Sequence, residues 1–199
     1  MPSKKSLYDP HPTLGMEDAW LARLHEKTGK SMEEWIQLLQ ESGAATAKER
    51  RAWLKQEHGF GMNYALLIAG RSMGKNSAEA YDDPDALVEA MFTGKEALRP
   101  LYNRLLRLGK SLGKDVRACP CKTIVPLYRK HVFAQLKPST KTRLDLGFAL
   151  KDTAVSGRLI DTGGFSKKDR ITHRIPIATL ADIDDEVKRW LQTAYDMDG

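Results

Sequence analysis

Cysteine is nearly missing from this sequence: Cys119 and Cys121 are the only two in 199 residues. A chain of that length with two thiols one residue apart is not a disulfide scaffold. Long apolar runs are missing too. The longest, "YALLIA" at residues 64–69, falls far short of the roughly 20 residues that a membrane-spanning helix needs. The N-terminus, "MPSKKSLYDPHPTLG", has two lysines but no apolar segment behind them, so no secretory signal is expected. Internal repeats and low-complexity tracts are also lacking. So are the G-x-S-x-G elbow and the H-E-x-x-H zinc motif. These absences point to a protein of a reducing compartment, most simply the cytoplasm, with no membrane partner.

What is present is an ordinary apolar fraction, 41%, enough for a folded core. The length accommodates one large or two small domains. Net charge is +6, but it is uneven: residues 94–151 carry fourteen Lys/Arg against three Asp/Glu. A concentrated basic block can attract polyanions.

The first seventy residues read as short helices. "MEDAWLARLHEKTG" has Trp20 and Leu24 at i, i+4 spacing and stops at Gly29. "SMEEWIQLLQESG" opens with a capping box, Ser31 with Glu34, and "TAKERRAWLKQEHG" repeats the device with Thr46 and Glu49. "MNYALLIAG" is a fourth, very apolar helix. A polar stretch, "RSMGKNSAEAYD", then marks a boundary. Asp83 with Pro84 starts a short helix. Thr93 and Glu96 suggest a third capping box, opening a helix with Leu98, Leu101, Leu105, Leu108 and Leu112 on one face. Alternation follows in "DVRACPCKTIVPLY", "HVFAQLKPS", "TRLDLGFAL", "GRLIDTG" and "ITHRIPIA", each a strand. In the last of these, Ile171, His173, Ile175 and Ile177 fall on one side. Thr179 is placed as the cap of a final helix from Leu180. The expected fold is α+β: an extended or disordered segment over 1–15, a helical module over 16–72, a linker over 73–82, and an antiparallel sheet packed on helices over 83–199.

Two resemblances follow from quoted residues. "EKTGKSMEEWIQLLQESG" with "RAWLKQEHGFGMNYALLIAG" resembles domain-of-unknown-function family 4287, over about residues 16–70. "LYRKHVFAQLKPSTKTRLDLGFAL" with "GRL", "THR" and "DIDDEVKRWLQTAYD" resembles domain-of-unknown-function family 5655, over about residues 85–197. Relatives of the second carry the label predicted transport protein. Neither family supplies a catalytic set, so the resemblance implies the domain division and no residue roles.

Motif tests are mostly negative. "GRSMGKNS" has three residues between its glycines where a phosphate loop has four, and no Ser or Thr after the lysine. "ACPCK" supplies two of the four ligands that a structural zinc site takes. The acids of "ADIDDEVKRW" suit the start of a helix. The E-x-K from Glu186 to Lys188 lies in a helix rather than a strand, which argues against a nuclease. No catalytic residue, metal ligand or cofactor is assigned.

The candidate site is the polar side of the sheet. Removing the inward Val132, Ala134 and Leu136 from "HVFAQLK" leaves His131, Phe133, Gln135 and Lys137 outward. "KTRLDLGFAL" presents Lys141, Arg143, Asp145 and Gly147, and "ITHRIPIA" presents Thr172 and Arg174. Phe133, Lys137, Arg143, Asp145 and Arg174 are the candidate binding residues. The two arginines suit phosphate or carboxylate, Phe133 suits base stacking, and Gly147 allows close approach. The expected function is non-enzymatic binding of an anionic partner, nucleic acid or a phosphorylated ligand. An enzyme acting on a small anionic substrate is the alternative, with Arg143 and Arg174 as anchors and His173 or Asp145 moving a proton. Protein–protein association through residues 16–72 is a third reading. A helix-turn-helix is a further idea, with Lys48, Arg50, Arg51 and Lys55 on one helix.

Overall fold

The computed structural model of the chain describes residues 6–74, 81 and 83–199. Among these, residues 11–74 with 81 form one compact unit, and residues 6–10 with 83–199 form the other. The architecture is α+β, with helices first and a six-stranded antiparallel sheet after them. No helix among the described residues is long and apolar enough to cross a membrane.

The helical unit contains α1 (Pro12–Thr28), α2 (Met32–Glu41), α3 (Ala47–His58) and α4 (Met62–Arg71). Both of its expected capping boxes form. Ser31 Oγ accepts from the Glu34 N–H at 3.2 Å, and the Glu34 carboxylate accepts from the Ser31 N–H at 2.6 Å. Thr46 and Glu49 do the same at 3.2 and 2.9 Å. Each box satisfies two amide groups that a helix start leaves open. Leu24, Trp35, Leu39, Leu54 and Ile68 make the buried centre. α1 starts earlier than residue 16, because Pro12 suits a first helical position, where its missing N–H is not needed. Arg50 is structural rather than free for a phosphate: its guanidinium donates to the Ala44 and Ser72 carbonyls and so ties the start of α3 to the end of α4. Of the expected linker and of "GRSMGKNS", residues 75–80 and 82 lie outside the described residues.

In the second unit, Asp83 caps α5 (Pro84–Met91) as expected. The Thr93/Glu96 box does not form. Thr93 Oγ1 donates back to the Glu89 carbonyl, and the Glu96 carboxylate accepts from the Gly94 N–H. A 3-10 turn, Glu96–Leu98, therefore precedes α6 (Arg99–Lys110). The strands are β1 (Arg117–Ala118), β2 (Val125–Tyr128), β3 (Val132–Pro138), β4 (Leu144–Phe148), β5 (Ile160–Asp161) and β6 (His173–Ile177), in the order β1-β2-β3-β4-β6-β5. Thr179 caps a 3-10 turn, Leu180–Asp182, rather than the last helix. Ile183 breaks the run, and Asp184 caps α7 (Asp185–Asp196) anew. The inward sides of β2–β4 and β6 bury Leu127, Leu136, Leu146, Phe148, Ile175 and Ile177 beneath Leu105 of α6 and Leu191 of α7.

Residues 6–10 belong with this unit. The Asp9 N–H donates to the Ala118 carbonyl at 2.8 Å, and the Asp9 carboxylate accepts from the Ala118 N–H at 2.9 Å. The Tyr102 hydroxyl, otherwise sealed in the core, donates to Tyr8 Oη at 3.0 Å.

Candidate functional site

One rung of the sheet builds the floor of a groove. Pro126, Gln135, Gly147, Arg174 and Ile160 lie opposite one another across five strands. Side chains on a rung share a face, because strand side chains alternate with period two. The next rung on the same face carries Lys137, Asp145 and Pro176. Gln135, Lys137, Asp145, Gly147 and Arg174 all line one groove of ≈ 620 Å³. That is the size of a small-molecule site. Tyr128 and Val132 form part of one wall, and Asp169, Arg170 and Ile171 part of the other.

Phe133 is not in this groove. The β2–β3 register slips between Leu127, opposite Ala134, and Tyr128, opposite Val132, so Phe133 is an extra residue with no register partner on β2. Such a bulge puts two neighbours on one side and reverses the alternation beyond it. Val132 consequently faces the groove. Phe133 is fully buried, with its ring 5.6 Å from that of Tyr195 on α7. The expected stacking platform is thus removed from the site. Thr172 is a second correction. Its side chain is 3% exposed, and Oγ1 accepts from the Leu150 N–H at 3.1 Å. Ile171 takes the outward place instead. His173 is a buried histidine on the inward side, with Nδ1 2.8 Å from Thr172 Oγ1.

The cations are arranged around Asp145. Arg174 donates to Asp145 Oδ1 at 3.2 Å. Arg143 Nε lies 3.1 Å from the same oxygen, close enough for an ion pair but off the direction of a hydrogen bond. Ser139 Oγ donates to Oδ2 at 2.6 Å. Both carboxylate oxygens are therefore occupied. Asp145 orients the two arginines. Arg143 reaches the groove only through Asp145; Lys137 and Arg174 line it directly. Lys137 is exposed and forms no ion pair among the described residues.

Sequence reasoning missed Arg170 and Ile171. Arg170 donates to the Val132 carbonyl at 2.8 Å and pairs with Asp198, a carboxylate only 2% exposed that also accepts from the His131 N–H at 2.8 Å. The signal for this wall was "GGFSKKDR", a glycine-hinged basic loop between two strands. Cys121, also on the groove wall, has its thiol pKa raised by burial, and burial pushes that of Cys119 up to about 11. Neither is activated as a nucleophile.

The family model described as Domain of unknown function (DUF5655) matches residues 88–198, more than half of the chain. The chain belongs to the DUF5655 family. Every residue of the groove lies inside the DUF5655 match, which runs from α5 to just past α7. A second model, Domain of unknown function (DUF4287), matches residues 18–71, from within α1 to the end of α4. No curated protein and no solved structure matches the chain. The DUF5655 sheet therefore has to be read from its own chemistry.

Proposed function

We propose that the sheet groove binds a small anionic ligand carrying a phosphate or a comparable group, without chemical conversion. One observation carries this reading: Lys137 and Arg174 border a groove in which the central acid, Asp145, is already held by two arginines and Ser139. Positive charge is left over at a concave, partly enclosed surface. Charge-assisted contacts there are stronger than at an open one. A small ligand is favoured over nucleic acid, because the one aromatic meant to stack bases, Phe133, lies in the core. Binding without catalysis is favoured because Asp145 has both oxygens engaged and His173 faces away from the groove.

Calorimetric titration with pyrophosphate tests the reading. Saturable binding is expected, and Lys137→Ala with Arg174→Ala should weaken it by about 100-fold or more. Unchanged affinity in the double variant, with its circular dichroism intact, overturns it. Tighter binding of a random single-stranded oligonucleotide with a steep salt dependence would transfer the function to nucleic acid.

A further inference from the structure

A second pocket lies where three chain segments meet: the turn after β4, the loop between β5 and β6, and the end of α7. Its volume is ≈ 580 Å³. Phe165, Met197 and Ala149 supply apolar lining, and three cations, Lys151, Lys168 and Arg170, stand against one acid, Asp169. Phe165 is 55% exposed and Met197 37% exposed, so two large apolar side chains open towards solvent beside the positive charge.

The backbone singles this pocket out. Among the described residues, Lys151 (φ 54) and Lys168 (φ 60) are the two non-glycine residues with positive φ. Both line this pocket. An L side chain in the left-handed region is disfavoured by contact between Cβ and the following carbonyl. Lys168 follows a turn in which the Asp169 N–H donates to the Gly164 carbonyl at 2.8 Å and the Lys168 N–H to the Phe165 carbonyl at 3.1 Å. That pattern closes helical turns, and its left-handed position is commonly glycine. Gly59 occupies the corresponding place after α3. Lys151 sits in a tight turn in which the Thr153 N–H donates to the Leu150 carbonyl at 3.1 Å. Neither lysine forms an ion pair among the described residues, whereas Arg170 is paired with Asp198. Two disfavoured lysines beside one partly apolar pocket are a local conflict with stability, of the kind found where function holds a residue in place.

We propose that this pocket binds an organic acid with an apolar or aromatic body. The body lies against Phe165 and Met197, and Lys151 and Lys168 hold the carboxylate. This site does not use Lys137 or Arg174 of the sheet groove, although Asp169 and Arg170 border both.

The test uses the full chain and 2-naphthoate, titrated calorimetrically, with neutral 2-naphthamide as the control for charge. Saturable naphthoate binding is expected, with naphthamide at least about tenfold weaker. Lys151→Gly and Lys168→Gly should each weaken naphthoate binding about tenfold while leaving Tm unchanged or raising it by up to about 4 °C. A purely structural role for the lysines predicts a lower Tm instead. Lys137→Ala should leave naphthoate binding unaltered, and the two glycine variants should leave pyrophosphate binding unaltered, so each site can fail alone. The proposal is overturned if wild-type protein shows no saturable naphthoate binding, if naphthamide binds equally well, or if both glycine variants bind like wild type.

Discussion

Gly147 shows how far one missing side chain shapes the site. The sequence reading left its space for a ligand; the structure fills it from within. A Cβ added there would lie 2.8 Å from Ile171 Cγ2 and 3.0 Å from Gln135 Cγ. Ile171 thus leans over the sheet from the β5–β6 loop, and Gly147 is what lets it. Gly147→Ala should destabilise the protein by about 1–3 kcal/mol, because the groove wall must shift to admit a methyl group. Urea unfolding measures the loss. Ile171→Ala in the same background removes the colliding methyl and should recover much of it; a double variant no more stable than Gly147→Ala would refute the account. Lys137, Asp145 and Arg174 were legible on this face because clean alternation runs through β4, β6 and the part of β3 from Ala134 onward. Phe133 was not legible. Val132, Phe133 and Ala134 are three apolar residues in a row, so alternation cannot say which of them the bulge inserts. Thr172 and Ile171 were misplaced for a related reason: β6 begins only at His173, and residues before it follow loop geometry rather than the pleat.

At the scale of elements, the caps carried most of the legible information. Ser31, Thr46 and Asp83 each start a helix where their side chains can accept from an amide two or three residues on. "TLADIDDE" contains two such signals in quick succession, and both are used, one for a 3-10 turn and one for α7. A pattern of caps alone does not reveal which one opens the longer helix. The approach of helix to sheet was also invisible in sequence. Gly109, in the last turn of α6, would put an added Cβ 2.4 Å from Leu127 Cδ1, and Leu127 is fully buried in β2. Gly109→Ala gains up to about 1 kcal/mol of helix propensity. That gain is opposed by overlap in a core that cannot expand freely, which costs about 1–3 kcal/mol. A net loss of stability in urea is therefore expected, opposite in sign to the usual result of replacing a helical glycine by alanine. A stabilised variant would mean that α6 can move off the sheet.

For the whole molecule, the basic block of residues 94–151 divides among different tasks once folded. Arg104 and Arg107 are exposed on α6, Lys137 borders the groove, Arg143 serves Asp145, and Arg129 clamps Asp115 at 3.0 Å. A linear excess of charge had suggested one surface; the fold distributes it. The acids show a clearer common purpose. Asp115 accepts from the Tyr195 hydroxyl at 2.8 Å and pairs with Arg129, and these contacts lower its pKa. The Ala178 and Thr179 N–H groups lower that of Asp182, and the Arg158 N–H and guanidinium lower that of Glu186. All three carboxylates anchor α7 or the turn leading into it. A carboxylate whose folded pKa lies below its unfolded value contributes stability above the unfolded value, about 3.9 for Asp and 4.3 for Glu. That contribution is lost as pH falls through the folded value, because the unfolded chain then binds the proton more readily. Glu49, held by its capping box, imposes the same sign on the helical unit. Tm followed by circular dichroism should therefore stay level from neutral pH to about 5 and fall increasingly below about 4. Glu186→Gln should lower Tm at pH 7 and flatten the acid limb, since one of the protonating groups is gone. A Tm that holds steady from pH 5 to 3, or a variant that keeps the full acid slope, would show that α7 is held by its apolar stripe of Val187, Leu191 and Ala194 rather than by its carboxylates.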